Sequence, residues 1–71
     1  MKCDEIDRRF RHGSLVTIIE KDGTTHEKVV FSHVDCNTDK VSFYTKWLGI
    51  VSIEPKIDAD SIKLMYITRK K

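Results

Sequence analysis

Short β-rich runs separated by turn residues constrain this chain most, because they recur at about every eight to twelve positions, the spacing of a small all-β sandwich or barrel. The pattern begins after Gly13 and replaces a more helical opening segment. Its clearest turn is Asp22-Gly23, a dipeptide that accepts the positive φ angles of a type I′ hairpin. The sequence therefore predicts an all-β fold with one short N-terminal helix.

The runs after Gly13 predict five strands. They cover residues 15–21, 24–35, 41–45, 50–54 and 62–68, with one helical turn over 58–61, capped by Asp58, before the last strand. The long second run changes its apolar face partway, which predicts a bulge or bend. In the third run we expect Val41 and Phe43 to face the core. We expect Ser42 and Tyr44, which alternate with them, to face outward. Pro55 removes a backbone donor and marks a strand end or an edge.

The first dozen residues predict the short helix. Ile6 and Phe10 lie four positions apart and therefore share one helical face. Acidic residues precede the arginines, an order that suits the helix dipole. The predicted organisation is a single domain with a helix over 1–12, a barrel over 14–68 and a basic tail over 69–71.

Composition limits the size and setting of this domain. With 71 residues, the chain has room for one small core. Thirteen Lys and Arg against eleven Asp and Glu give a net charge of +2, too small to prove a nucleic-acid partner. No apolar stretch approaches the roughly 20 residues that span a bilayer, and the acidic opening is unlike a signal peptide. We therefore expect a cytoplasmic protein, with Cys3 and Cys36 as free thiols.

Several segments resemble the Sm-like small β-barrel family. They are the stretch 13–18, the Asp22-Gly23 turn, Val34-Asp35 and the ending over 57–67. The Sm family also has a first strand that begins with Gly, an Asp-Gly hairpin and an Asp that closes a long second strand. The resemblance implies a five-stranded barrel. It does not extend to the family's RNA pocket, because Ile62-Lys63-Leu64 stands where that pocket uses an Arg-Gly pair.

Within that family, three strings are similar to the bacterial modulators of Rho-dependent transcription termination. These are residues 3–7, residues 20–23 and residues 57–62. The similarity implies a regulator that binds the Rho hexamer and blocks its RNA site.

Aromatic and basic residues predict the binding surface. Trp47 beside Lys46 offers a stacking surface with a charge that neutralises phosphate. The predicted site comprises Tyr44, Lys46, Trp47, Lys56, Arg8, Arg9 and Arg11, and the tail over 69–71 could extend it. The sequence leaves open whether Trp47 instead fills the core.

A catalytic arrangement is not expected. Ser32, His33 and Asp35 are close in sequence, but alternate residues of a strand point to opposite faces and do not converge as a triad. Asp58 and Asp60 fit a helical cap and a solvated loop better than a pair of catalytic carboxylates. We therefore predict no enzyme.

A zinc site is the other chemical candidate. His33 and Cys36 have a ligand-like spacing, and Cys3, His12 or His26 could complete the set. The paired Cys-x-x-Cys spacing typical of such sites is absent. We therefore expect neither metal nor cofactor.

The sequence predicts a non-catalytic regulatory module that acts on RNA or on a protein of the transcription apparatus. Binding would use residues 44–48 and the basic helix. The alternative is a protein-interaction or inhibitor module that does not contact nucleic acid. A third possibility is assembly into a homo-oligomer, because so small a domain buries little surface alone.

Overall fold

One antiparallel sheet and one short helix make up residues 1–68, which are the residues described by a computed structural model. The predicted basic tail of Arg69, Lys70 and Lys71 lies outside the described residues. The elements are helix α1 (Cys3–Arg9) and strands β1 (Leu15–Glu20), β2 (Thr25–Asp35), β3 (Lys40–Trp47), β4 (Ile50–Ile53), β5 (Ile57–Asp58) and β6 (Ile62–Ile67), with a 3-10 turn (Ala59–Ser61) before β6. The prediction of a mostly β chain with one short helix is confirmed.

The sheet has six strands in the order β4-β3-β2-β1-β6, and β5 also pairs with β3. Within residues 1–68 no pairing joins β6 to β4 or β5, so the sheet is not a closed barrel. The expectation of five closed strands is therefore corrected to six strands with an open seam. The additional strand, β5, has only two residues and is too short to show periodicity in the sequence.

The β1–β2 hairpin is confirmed, but its turn differs from the predicted type I′. Residues 21–24 lie between the two strands, and of Asp22 and Gly23 only Gly23, with φ +96°, has a positive φ. The Thr24 N–H donates to the Asp22 carboxylate at 2.9 Å, and the Glu20 N–H donates to the Thr24 carbonyl at 2.8 Å. The Asp22 side chain thus replaces a backbone partner in the turn, a property of Asp that favours turns.

The bend predicted in the second strand is confirmed. The pairing of β2 shifts register against β1 between Val16 and Ile18, and against β3 between Phe31 and His33. Lys28, which has φ +54°, lies in β2 at the first of these register shifts, between His26 and Val29. These bulges explain why the apolar residues of β2 change face along the strand.

Helix α1 covers the apolar side of the sheet. Ile6 is fully buried and Phe10 is 4% exposed, as their spacing predicts. The ring centroids of Phe10 and Phe31 lie 6.3 Å apart. The helix ends at Arg9 rather than at residue 12, because Phe10 is already extended, with φ −125° and ψ 135°. One core cluster results, formed by Ile6, Phe10, Val16, Ile18, Val29, Phe31, Val41, Phe43, Ala59, Ile62 and Met65.

A disulfide joins Cys3, at the start of α1, to Cys36, in the turn after β2. Their Cα atoms lie 5.4 Å apart, within the range that a disulfide spans. The expectation of free thiols is therefore wrong. Because the two cysteines are 33 positions apart in sequence, only the packing of α1 against the sheet brings them together.

Removal of this disulfide is expected to destabilise the fold. The double variant Cys3→Ser with Cys36→Ser should lose about 3 kcal/mol of unfolding free energy, because a cross-link across a loop of this size restricts the unfolded chain. Urea denaturation of the oxidised protein and of the variant measures the difference. Thiol titration of the native protein should detect no free thiol before reduction, and two free thiols would contradict the disulfide.

Candidate binding surface on the β3–β4 hairpin

A two-residue turn joins β3 to β4. Trp47 pairs with Ile50, so Leu48 and Gly49 form the turn. Both have positive φ, +49° at Leu48 and +79° at Gly49, as a type I′ turn requires. Leucine rarely adopts this conformation, because its Cβ approaches the following carbonyl oxygen. The hairpin tip thus holds a strained residue whose side chain is 84% exposed.

Large apolar side chains cover this hairpin and face solvent. Trp47 is 73% exposed and Ile53 is 86% exposed. We define the hairpin patch as Trp47, Leu48, Ile50, Val51 and Ile53, each of which is at least half exposed. Clusters of exposed apolar side chains on protein surfaces often mark interaction sites.

The strand register places these side chains on both faces of the hairpin. Trp47 lies opposite Ile50 on one face. Val51 lies opposite Lys46, and Ile53 opposite Tyr44, on the other face. The hairpin is therefore apolar on both sides, and Lys46 contributes a cation to one of them.

The position of Trp47 settles whether it is a core or a surface residue. Trp47 lies on the same face of β3 as Val41 and Phe43, which are buried, but it is four residues beyond Phe43. The core ends before Trp47, so its ring projects past the covered part of the sheet. Tyr44, on the opposite face, is half-buried.

The other polar residue expected to face outward, Ser42, is instead buried. Its hydroxyl has no hydrogen-bond partner within residues 1–68. Ser42 pairs with His33 directly after the β2 bulge, where the strand bends. Its burial departs from the simple alternation along β3, which predicts exposure to solvent.

The remaining predicted site residues are all exposed, but most of the helical ones have local partners. Arg9 forms an ion pair with Glu5 at 3.3 Å, and its guanidinium lies 5.6 Å from the centroid of the Phe10 ring. Arg8 Nε donates to the Asp4 carbonyl at 3.4 Å. Lys46, Lys56 and Arg11 are exposed. Across the described part of the chain, no hydrogen bond or ion pair joins the arginines to the hairpin.

The basic helix and the hairpin belong to different parts of the sheet. The disulfide fixes the start of α1 beside the turn that precedes β3. Trp47 lies at the other end of β3, roughly 24 Å away along an extended strand of this length. The structure thus brings Tyr44, Lys46 and Trp47 together on one hairpin, without showing contact between that hairpin and α1.

An acidic cleft of about 510 Å³ lies away from the hairpin patch. Its lining residues are Glu20, Lys21, Asp22, Thr38, Asp39, Asp58, Asp60 and Ser61. The Thr24 N–H lowers the pKa of Asp22 by donating to its carboxylate. Two other carboxylates have partners, since Glu20 contacts His26 Nε2 at 2.7 Å and Asp58 pairs with Lys40 at 2.6 Å. Asp58 thus occupies the predicted cap position but makes no side-chain cap.

The serine and histidine of the considered triad do meet, contrary to the alternation argument. Ser32 Oγ lies 3.1 Å from His33 Nδ1, because the β2 bulge falls at this point. The Asp35 carboxylate accepts the Asn37 N–H at 2.9 Å instead. Ser32, His33 and Asp35 therefore do not form a hydrogen-bonded chain.

The disulfide removes two of the candidate zinc ligands considered from the sequence. Cys3 and Cys36 are bonded to each other and supply no thiolates. Within residues 1–68, no group of three or more His, Cys, Asp or Glu side chains is arranged to hold a metal ion.

Comparisons with known proteins find no relative of this chain. No protein-family model matches the chain, and neither the curated proteins nor the solved structures give a match. In the described part of the chain, no helix has the length and apolar character needed to span a membrane.

The site predicted from the sequence named Tyr44, Lys46 and Trp47 but not Ile50, Val51 and Ile53, which are exposed on the same hairpin. The sequence did contain one signal that this strand lies at an edge, namely Pro55. The strand end predicted there is confirmed, because β4 ends at Ile53. An edge strand with apolar residues on both faces, as Ile50 and Val51 provide in β4, leaves at least one apolar face without a partner.

The strain at the hairpin tip can be tested by substitution. Leu48→Asn should raise the unfolding free energy by about 1 kcal/mol, because asparagine tolerates positive φ better than leucine. Leu48→Val should lower it, since a β-branched residue is poorly suited to this conformation. Urea denaturation measures both variants. A loss of stability in Leu48→Asn would show that the leucine side chain packs on the fold.

Proposed function

We propose that this chain is a small non-catalytic protein-interaction module that docks on its partner through the hairpin patch. The observation that carries this proposal is the exposure of the five apolar side chains, which ranges from 53% at Val51 to 86% at Ile53. Burial of apolar surface stabilises a complex by roughly 25 cal/mol per Å² removed from water. A partner would therefore gain most from this part of the surface.

The composition of the hairpin patch favours a protein partner over RNA. Four of its five residues are aliphatic, whereas proteins that bind single strands stack bases on aromatic rings in a basic groove. The net charge of +2 supplies little phosphate attraction. Aromatic residues in a desolvated apolar setting are typical binding hot spots in protein interfaces.

Regulation through RNA or the transcription apparatus is the second candidate. The exposed ring of Trp47 supports it, because such a ring can stack on a base, and the exposed Lys46 on the other face of the same hairpin adds a phosphate-neutralising charge. The resemblance to modulators of Rho-dependent termination also supports a partner from the transcription apparatus. Such a partner could be a protein, so the two candidates differ in whether nucleic acid contributes to the contact.

We also propose an Sm-like arrangement of the sheet, with an open seam. The order of helix, bulged strands and 3-10 turn before the last strand supports it. A single core cluster enclosed by the bent sheet and α1 supports it further. The cytoplasmic location stays a prediction, and the Cys3–Cys36 disulfide does not favour it, because disulfides are rare in reducing compartments.

Trp47→Ala is expected to weaken partner binding by at least about 30-fold, the effect of removing a hot spot worth roughly 2 kcal/mol. Its stability should change by less than about 0.5 kcal/mol, because the ring is mostly exposed. Affinity capture from the host with quantitative mass spectrometry measures binding, and thermal unfolding measures stability. Tyr66→Ala, on β6, is the matched control because Tyr66 is also an exposed aromatic residue.

Two results would contradict the proposed site. The first is an unfolded Trp47→Ala protein, which would place the ring in the core. The second is equal capture by Trp47→Ala and by the unsubstituted protein.

Salt and nuclease separate the two candidate functions. Binding through the hairpin patch should survive nuclease and change little between about 50 and 200 mM salt, because apolar contacts are not screened. RNA binding should fall steeply over the same range, since phosphate contacts release counterions. Repeating the capture under both conditions decides between them.

A further inference from the structure

We infer that the free edge of β4 binds an extended acidic peptide segment, which adds to the sheet as a further strand. This inference rests on the proposed function and names the form and chemistry of the partner. It concerns the backbone of β4 as well as its side chains.

The backbone of β4 is open on one side. In the sheet order β4 is terminal, and within residues 1–68 it pairs only with β3. Trp47 and Ile50 close the two-residue turn, so this pair exchanges backbone hydrogen bonds across the hairpin. The alternation along an antiparallel pair then directs the N–H and C=O groups of Val51 and Ile53 away from β3. Four backbone groups therefore face outward at the edge.

The side chains of β4 favour pairing rather than blocking it. Protein edges are commonly protected by charged residues, especially lysine, within the strand. The sequence of β4 is Ile-Val-Ser-Ile and holds no charge. The opposite edge strand, β6, carries Lys63 among its exposed residues and buries Ile62 and Met65. Of the two terminal strands, β4 is the less protected.

Charge selects an acidic segment. Lys46 lies opposite Val51, on the next strand and the same face, and the exposed Lys56 follows the end of β4; the carboxylate between them in sequence, Glu54, is half-buried. Neither lysine forms an ion pair with a side chain of residues 1–68. A partner strand with alternating β-branched residues and carboxylates would bury the apolar side chains and pair with both cations. A second copy of this chain would instead bring the same lysines to the edge.

Selection of peptides provides the probe. A phage-displayed library of random twelve-residue peptides is panned on the oxidised full-length protein, and the enriched peptides are synthesised with a fluorophore. We expect the enriched peptides to have Val, Ile or Thr at alternating positions and Asp or Glu at or beside the peptide ends. Fluorescence anisotropy should show that Val51→Pro weakens binding about tenfold, because proline removes one outward N–H donor. Val51→Thr keeps the N–H and the β-branched shape, and serves as the matched control.

Amide hydrogen exchange tests the same contact without a substitution. In the free protein, the amides of Val51 and Ile53 should exchange faster than those of Ile50 and Ser52, which face β3. Peptide binding should slow exchange at Val51 and Ile53 by at least about tenfold. This measurement stays decisive if Val51→Pro disturbs the fold.

The outcomes separate this inference from the proposed function. Binding that depends on Trp47 but leaves the Val51 and Ile53 amides unprotected would overturn strand addition and leave the hairpin patch as the docking surface. Binding of host partner and peptide that ignores both Trp47→Ala and Val51→Pro would overturn both proposals. Strand addition also fails if no acidic extended peptide is enriched, if a single-stranded RNA displaces the peptide, or if light scattering shows that the β4 edge is occupied by a second copy.

Discussion

The packing of α1 against one side of the bent sheet is the constraint on which the rest of the structure depends. A chain of this length has one core, and a seven-residue helix is too short to be stable without tertiary contacts. Ile6 and Phe10 supply these contacts by entering the cluster around Phe31. The disulfide at the start of the helix adds a covalent restraint to the same packing. The curvature of the sheet, the enclosure of the core and the position of the helix therefore depend on one another.

The elements that local chemistry specifies could be predicted from the sequence. Gly23 ends a turn, Pro55 follows an edge strand, and the spacing of Ile6 and Phe10 gives a buried helical face. What tertiary packing specifies could not be predicted. Cys3 and Cys36 meet only after the helix docks. The prediction of a closed barrel was wrong for the same reason. Closure depends on the distance between the terminal strands, and no local pattern in the sequence encodes that distance.

The candidate site shows this division within a single strand. Alternation along β3 correctly predicts that Val41 and Phe43 are buried in the core. Trp47 lies on the same face of the strand but is exposed. The difference is how far the covering elements reach, because β3 extends beyond the core enclosed by α1. Beside the β2 bulge, Ser42 is buried although alternation predicts exposure, and the side chains of Ser32 and His33 are in contact although alternation predicts opposite faces. Periodicity predicts the face of a side chain, whereas its exposure depends on the neighbouring elements.

The hairpin combines two features that each cost stability. Leu48 has a positive φ that leucine disfavours, and five apolar side chains remain in water. Neither feature contributes to the core, which ends before Trp47. The turn nevertheless fixes the pairing of Trp47 with Ile50 and thereby determines which backbone groups of β4 point outward. A hairpin whose two strands are already paired loses less conformational entropy on binding than an unpaired segment, because much of its backbone order is already present. The cost to folding and the advantage for binding thus arise from the same geometry.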